Sequence, residues 1–159
     1  MRRIQKIFWL AVWSLSLVGI AFAGVNNATV QPLSPQAGRA SVYQVQFTLT
    51  EPCPSAGSLT LEFPEAFDLS QAVLAGSPNV KGGFKVFVDG RRVRIQRSGL
   101  GPVVPAGTKI ILRLANVRNP STAGQFNVKI DVQAGRKILG SDSVVFSVLP
   151  KKRPVKPVR

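Results

Sequence analysis

The chain has 159 residues, with 21 Lys plus Arg against 7 Asp plus Glu, one Cys and no His. This length favours one domain, which can bury enough apolar surface to be stable without disulfides or a structural metal. The absence of His excludes Ser-His-Asp and Cys-His catalytic systems and His-ligated zinc. A lone Cys excludes an internal disulfide and a cysteine-cluster metal site. We therefore expect a protein that is not an enzyme and holds no metal or cofactor.

Residues 1–23 are typical of a secretory signal peptide. Three positive charges lie within the first six residues, an uncharged and mostly apolar run follows, and Ala21-Phe22-Ala23 matches the small-residue cleavage pattern. The alternative is an uncleaved membrane anchor, because an apolar run of about 17 residues lies at the short limit of a bilayer span. We expect cleavage after Ala23 and export to the periplasm, the cell surface or the extracellular space.

Alternating apolar and polar residues recur along the rest of the chain and predict strands that bury one face. The clearest run is 41–50, where an aromatic or aliphatic side chain occupies every second position from Tyr43 to Leu49. Further strands are predicted at 59–63, 84–88, 91–95, 110–114, 126–132 and 144–148, and 65–74 is a candidate short helical turn. Half-polar strands between Pro and Gly turns predict an all-β, antiparallel two-sheet sandwich over residues 24–149. Its predicted core side chains include Tyr43, Val45, Phe47, Leu61, Phe63, Leu112, Phe126, Val128, Ile130 and Phe146.

One predicted hairpin has a register that can be read from its turn. Asp89-Gly90 tolerates the positive φ angles of a two-residue loop, so pairing outward places Val88 opposite Arg91 and Lys85 opposite Arg94. The face predicted to be buried carries Phe84, Val86, Val93 and Ile95, and the outer face carries Lys85, Phe87, Arg92 and Arg94. Like charges facing across strands repel unless an anion or a partner screens them. We favour a solvated outer face with Arg stacked on Phe87, and a surface that binds an anionic ligand is the alternative.

Other candidate chemistry in the chain is sparse. Glu62, Glu65 and Asp68 form an acidic cluster, but a glycosidase needs two carboxylates across a sugar-sized gap and Ca²⁺ needs six to eight oxygens. We therefore interpret these carboxylates as solvated. Cys53 lies between two prolines without a His to activate it, so we expect a buried or idle thiol.

The last ten residues, 150–159, form a basic, proline-rich segment. Their sequence, PKKRPVKPVR, holds five positive charges, three prolines and no acid. Such a composition buries too little apolar surface to offset the entropy of ordering, so we expect a disordered tail. The preceding core has 13 basic and 7 acidic residues, a net charge near +6.

Three segments in a fixed order carry a resemblance. They are YQVQFTL at 43–49, GSLTLEFP at 57–64 with Phe67 after it, and VRNPSTAGQFNV at 117–128. In this order they resemble an immunoglobulin-like β-sandwich module of bacterial and archaeal secreted, cell-surface and S-layer-type proteins, over about residues 28–149. The resemblance implies a non-catalytic envelope protein. The Asn119-Pro120 corner then ends a strand, and a binding loop is the alternative role for it.

Two functional classes remain. The first is an exported binding module that associates with an anionic envelope polymer, a lipid surface or an acidic protein. The residues predicted to make this contact are Lys85, Phe87, Arg92, Arg94, Lys151, Lys152, Arg153 and Lys156. The second is a structural surface subunit that pairs with a partner strand at a sheet edge. Nucleic acid is disfavoured because the cations lack interleaved aromatic residues.

Processing of the signal peptide is directly testable. We expect Gly24 to be the first residue of the exported protein, because small residues occupy the positions that signal peptidase reads. N-terminal sequencing of secreted material measures this. Recovery of a chain that still begins at Met1 from the membrane fraction would contradict it and favour the anchor.

Overall fold

The computed structural model describes residues 24–152, so the predicted signal peptide and residues 153–159 lie outside the description. Within this range there is no helix, and every regular element is a β-strand. No helical segment of these residues is therefore available to cross a membrane. The strands are β1 (Val25–Pro32), β2 (Ala40–Leu49), β3 (Ser58–Glu62), β4 (Val73–Gly76), β5 (Phe84–Asp89), β6 (Arg92–Arg97), β7 (Lys109–Arg118), β8 (Gly124–Ala134) and β9 (Lys137–Val148).

The strands form two antiparallel sheets that pack as a sandwich. One sheet has four strands in the order β1-β2-β7-β4, and the other has five in the order β5-β6-β3-β8-β9. The predicted all-β, two-sheet antiparallel architecture is confirmed. Alternation in β2, β3 and β7 sends the apolar side chains between the sheets, as the sequence pattern predicts.

Two local predictions are corrected. Residues 65–74 do not form a helical turn: two tight turns, closed by Phe67 N–H to Pro64 O and by Ala72 N–H to Leu69 O, lead directly into β4. Strand β1 is present although its sequence does not alternate. Asn27 has a φ of 53° and the register with β2 shifts beside it, so a bulge interrupts the period of two that identifies a strand.

The register of the β5–β6 hairpin differs from the prediction. Asp89 pairs with Arg92 and Phe87 with Arg94, so the loop is Gly90-Arg91 and Lys85 lies opposite Gln96. Gly90 has a φ of 54°, and glycine in this first loop position is typical of a type II′ turn. The shift is two residues, so each side chain stays on its predicted face. The predicted repulsion between Lys85 and Arg94 across the hairpin is therefore wrong.

The core contains nine of the ten side chains predicted for it, and the tenth, Phe126, is half-buried. Phe126 lies near the start of β8, at one end of the sandwich, where its ring still packs edge-on to Phe67 at 5.2 Å between centroids. The rings that pack together at this end are Tyr43, Phe63, Phe67, Phe126 and Phe146. Packed in edge-to-face and tilted pairs, they close the apolar interior there.

The same end is held by the buried side chain of Asn119, just after β7. Its Oδ1 accepts a hydrogen bond from the Tyr43 hydroxyl at 2.6 Å, and its Nδ2 donates to the carbonyls of Ser34 and Gln36 at 2.8 and 2.9 Å. Burial raises the pKa of Tyr43, which keeps its hydroxyl protonated as the donor. We call residues 33–39, which Asn119 ties to the sandwich, the corner loop. The structural role predicted for the Asn119-Pro120 corner agrees with these contacts.

The hydrogen bonds of Asn119 set a stability prediction. Asn119→Ala should lower the free energy of unfolding by about 3 kcal/mol, because the Tyr43 hydroxyl and two carbonyls lose their partner. Tyr43→Phe removes only one of the three bonds and should cost about 1–2 kcal/mol. Urea titration monitored by circular dichroism measures both. Equal losses for the two variants would mean that the corner loop does not depend on the Asn119 amide.

Candidate functional site

Four of the predicted binding residues lie together on the outer face of the five-stranded sheet. Lys85 and Phe87 on β5 and Arg92 and Arg94 on β6 are all exposed, and they alternate with half-buried residues on β5 and with buried residues on β6. We call these four residues the hairpin face. Lys151 and Lys152 are exposed but follow β9 on another part of the molecule, and Arg153 and Lys156 lie outside the described residues.

Much of the positive charge near the hairpin face is neutralised by acids from other strands. Glu62 on β3 binds both Arg91 Nη2 at 2.8 Å and Arg92 Nε at 3.1 Å. On β8, Lys129 pairs with Asp131 at 3.1 Å. Sequence reasoning missed the pairs of Glu62 because β3 and β6 become neighbours only in the folded sheet, whereas Lys129 and Asp131 pair along β8 itself. Because Glu62 alternates with buried residues, the sequence predicts that it lies on the outer face. The alternation does not show which cation pairs with it.

The remaining members of the hairpin face form a cation–aromatic pair and a free cation. The Arg94 guanidinium lies 4.8 Å from the centroid of the Phe87 ring, which is 45% exposed. This stack is worth about 0.5–1 kcal/mol at an exposed site. No carboxylate of the described residues lies within 4 Å of the Lys85 ammonium. Lys85 and Arg94 are therefore the hairpin cations that keep their charge available.

A shallow depression of about 460 Å³ lies beside this stack on the same sheet. Its lining contains three cations and three carboxylates, so its formal charge is zero. The lining residues are Thr60, Glu62, Phe87, Asp89, Arg92, Arg94, Lys129, Asp131 and Gln133. The electrostatic attraction expected from the hairpin sequence alone is correspondingly reduced.

Sequence reasoning also missed two cations at the corner loop. Arg39 ends the loop and its carbonyl accepts from Asn119 N–H at 2.8 Å, while Arg118 Nη1 donates to Gly38 O at 3.3 Å. Both side chains are exposed. Asp68 lies beside Arg118, and its pKa is lowered first by hydrogen bonds from Ser70 and then by the Arg118 charge. Arg39 and Arg118 lie far from the tail in the sequence. Strand pairing brings them to the same end of the sandwich as the start of the tail.

The opposite end of the sandwich is organised around Arg97, which is 7% exposed. Its guanidinium donates to four carbonyls, those of Pro102 at 2.6 Å, Pro54 at 2.8 Å, and Cys53 and Lys81 at 3.3 Å. No carboxylate within residues 24–152 lies within 4 Å of it. Arg97 therefore ties three loops together, and its hydrogen-bonding capacity is used inside the protein.

Cys53 adjoins Arg97 and a small apolar cavity of about 40 Å³ between the sheets. The thiol is buried, and burial raises its pKa more than the nearby Arg97 charge lowers it. A neutral thiol is a poor nucleophile, so this end offers no activated sulfur. Over the part of the chain that is described, no three His, Cys, Asp or Glu residues cluster as metal ligands.

The fold is shared with bacterial modules of known structure. A cohesin module from a Clostridium perfringens family 33 glycoside hydrolase has a TM-score of 0.52 and 17% identity, over 81% of this chain and 100% of that module. The N-terminal domain of a Streptococcus gordonii adhesin has a TM-score of 0.51 and 14% identity, over 77% of this chain and 32% of that one. A Nocardia farcinica protein described as immunoglobulin-like has a TM-score of 0.45 and 14% identity, over 82% of this chain and 90% of that one.

No protein-family model and no curated protein sequence matches the chain. At identities this low the structural similarity establishes the fold and nothing finer. The antiparallel two-sheet β-sandwich expected from the sequence is confirmed. The chain is thus a β-sandwich of two antiparallel sheets, one of four and one of five strands.

The raised pKa of Cys53 predicts slow thiol chemistry. At pH 8, iodoacetamide should modify the native protein about tenfold or more slowly than the chain unfolded in urea, because burial limits both thiolate formation and access. Mass spectrometry of quenched time points measures the two rates. Equal rates would show that the loops around Arg97 open readily and expose the sulfur.

Proposed function

We propose that this protein is an exported, non-catalytic interaction module that holds an anionic component of the cell envelope. The observation that carries the proposal is an excess of unpaired positive charge. Ten exposed Lys and Arg side chains of residues 24–152 have no carboxylate within 4 Å, against four acids without a cationic partner. Net charge of one sign attracts oppositely charged partners and accelerates their encounter.

We propose that the cations of the hairpin face contribute unequally to binding the anionic partner. Lys85 and Arg94 keep accessible charge, whereas Arg92 shares Glu62 with Arg91. Charged residues that already have partners gain less from an incoming anion, because a pair must be broken or shared. The tail cations Lys151, Lys152, Arg153 and Lys156 are proposed to supply a second, adaptable contact. We also propose that the signal peptide is cleaved after Ala23 and that the mature protein is exported to the cell envelope.

Similar structures support an attachment role and not a catalytic one. Two structures with TM-scores above 0.5 are named as a cohesin module and an adhesin domain. These names belong to those proteins, and we extend to this chain only the inference of a surface or binding module. The buried, unactivated Cys53 favours the same conclusion.

One sheet edge, that of β7 beyond the end of β4, is closed to a partner strand. Where β4 stops, the edge of β7 is already occupied: Asn79 Oδ1 accepts from Ile111 N–H at 3.1 Å, Asn79 Nδ2 donates to Lys109 O, and Ser77 Oγ donates to Ile111 O at 2.7 Å. These side chains take the place of a strand's backbone. Such capping of an edge opposes addition of a partner strand.

Retention on a heparin column at about 50 mM salt tests the proposal, since counterion-driven binding weakens steeply as salt rises. Lys85→Gln with Arg94→Gln, and separately deletion of residues 151–159, should each lower the salt needed for elution. Arg92→Gln is the matched control and should have a smaller effect, because Glu62 already neutralises this charge. Thermal midpoints should stay near that of the wild type.

Two results would contradict the proposal. Wild-type protein that fails to bind heparin or a teichoic-type polymer at low salt would exclude polyanion binding. Retention that is the same in every charge variant would assign the attraction to another part of the surface. Either outcome would leave the structural-subunit hypothesis as the better one.

A further inference from the structure

The corner end of the sandwich combines unpaired cations with exposed leucines. Leu149 N–H donates to Pro35 O at 2.7 Å, and Ala37 N–H donates to Leu149 O at 2.8 Å, so the end of β9 is fastened to the corner loop. Arg39 ends the same loop, and Lys151 follows two residues after Leu149. Four exposed cations, Arg39, Arg118, Lys151 and Lys152, therefore surround one loop.

Nearby acids offset only part of this charge. Asp68 lies beside Arg118 through paired backbone hydrogen bonds of 3.0 and 3.2 Å and balances part of its charge. Glu65 precedes it by three positions, and Glu62 is occupied by Arg91 and Arg92. The tail continues from Lys152 with three more cations and no acid. Arg39, Lys151 and Lys152 therefore have no carboxylate within 4 Å among the described residues.

Two leucines stand exposed within this cationic region. Leu33 begins the corner loop and is 62% exposed, and Leu149, fastened to Pro35, is 48% exposed. A single exposed leucine is ordinary on a protein surface. Two leucines held by one loop and flanked by cations have the composition of a surface that enters the interface of an anionic bilayer, where apolar side chains insert and cations meet lipid phosphates.

We infer that the corner end docks on an anionic lipid surface, with Leu33 and Leu149 inserted among the headgroups and Arg39, Lys151 and Lys152 bound to phosphates. This inference rests on the proposed function and names the anionic partner. The leucines favour a lipid surface over a soluble polyanion. A soluble polyanion can bind the cations but has no apolar interior to take up the leucine side chains. The rigid attachment of Leu149 to the corner loop presents both leucines without a cost for ordering them on the membrane.

Co-sedimentation with vesicles tests the inference. Vesicles of phosphatidylglycerol and phosphatidylcholine in equal parts should bind the wild type at about 50 mM salt, and pure phosphatidylcholine vesicles should not. Arg39→Gln with Lys151→Gln and Lys152→Gln should lower the partition coefficient by about a hundredfold, roughly fivefold for each charge. Leu33→Ser with Leu149→Ser should lower it by about tenfold or more, through lost apolar burial.

Matched variants separate the leucine effect from general loss of apolar surface. Ile138→Ser with Val145→Ser removes two aliphatic side chains of similar exposure, 58% and 61%, from the outer part of β9 and should leave vesicle binding unchanged. The Leu33 and Leu149 variant should still bind heparin as the wild type does, because the polymer contacts only the charges. A change in heparin binding would assign the leucines to a polymer site and overturn the inference.

The outcomes also separate this inference from the function on which it rests. Wild-type protein that binds heparin or acidic polypeptide but not phosphatidylglycerol vesicles would overturn the lipid assignment and leave polyanion binding intact. Binding to neither would reject both. Vesicle binding that persists in the leucine variant would show a purely electrostatic association and would overturn insertion at the corner end.

Discussion

The buried carboxamide of Asn119 is the constraint on which the corner end depends. Its three hydrogen bonds join Tyr43 in the core to two carbonyls of the corner loop, at distances from 2.6 to 2.9 Å. A buried amide without partners costs several times what a formed hydrogen bond contributes, so the loop can adopt few other arrangements. Because the loop also binds the end of β9, Asn119 indirectly places the exposed leucines and the first tail cations.

At the opposite end of the sandwich, Arg97 holds loops in place as Asn119 does at the corner end, but its buried side chain is charged. A buried guanidinium is normally matched by a carboxylate, but here four loop carbonyls accept its hydrogen bonds. The carbonyl dipoles do not neutralise the positive charge of the guanidinium. Because the four carbonyls belong to different loops, Arg97 holds three loops at once. Each end of the sandwich is therefore organised by one buried polar side chain, while the apolar interior joins the sheets between them.

The hairpin face and the corner end, the two surfaces considered for binding, differ in how far acidic residues neutralise their cations. On the five-stranded sheet, acids from β3 and β8 lie among the cations, and close pairing reduces the field that a distant anion experiences. At the corner end, Arg39 and the first tail residues have no such partners in the described part of the chain. The corner end thus combines unpaired cations with the exposed side chains of Leu33 and Leu149.

The sequence by itself determined the fold class, most strands and nearly all of the predicted core, because alternation along β2, β3, β7 and β8 reports directly which face is buried. It failed at β1, where Asn27 breaks the alternation, and at the hairpin loop, where Asp89-Gly90 and Gly90-Arg91 were both compatible with a tight turn. The pairing of Glu62 with Arg92, and the contact of the corner loop with the end of β9, were decided only by tertiary structure. Ion pairs and surface clusters depend on which strands become neighbours, and a local pattern contains no information about partners that lie far away in the chain.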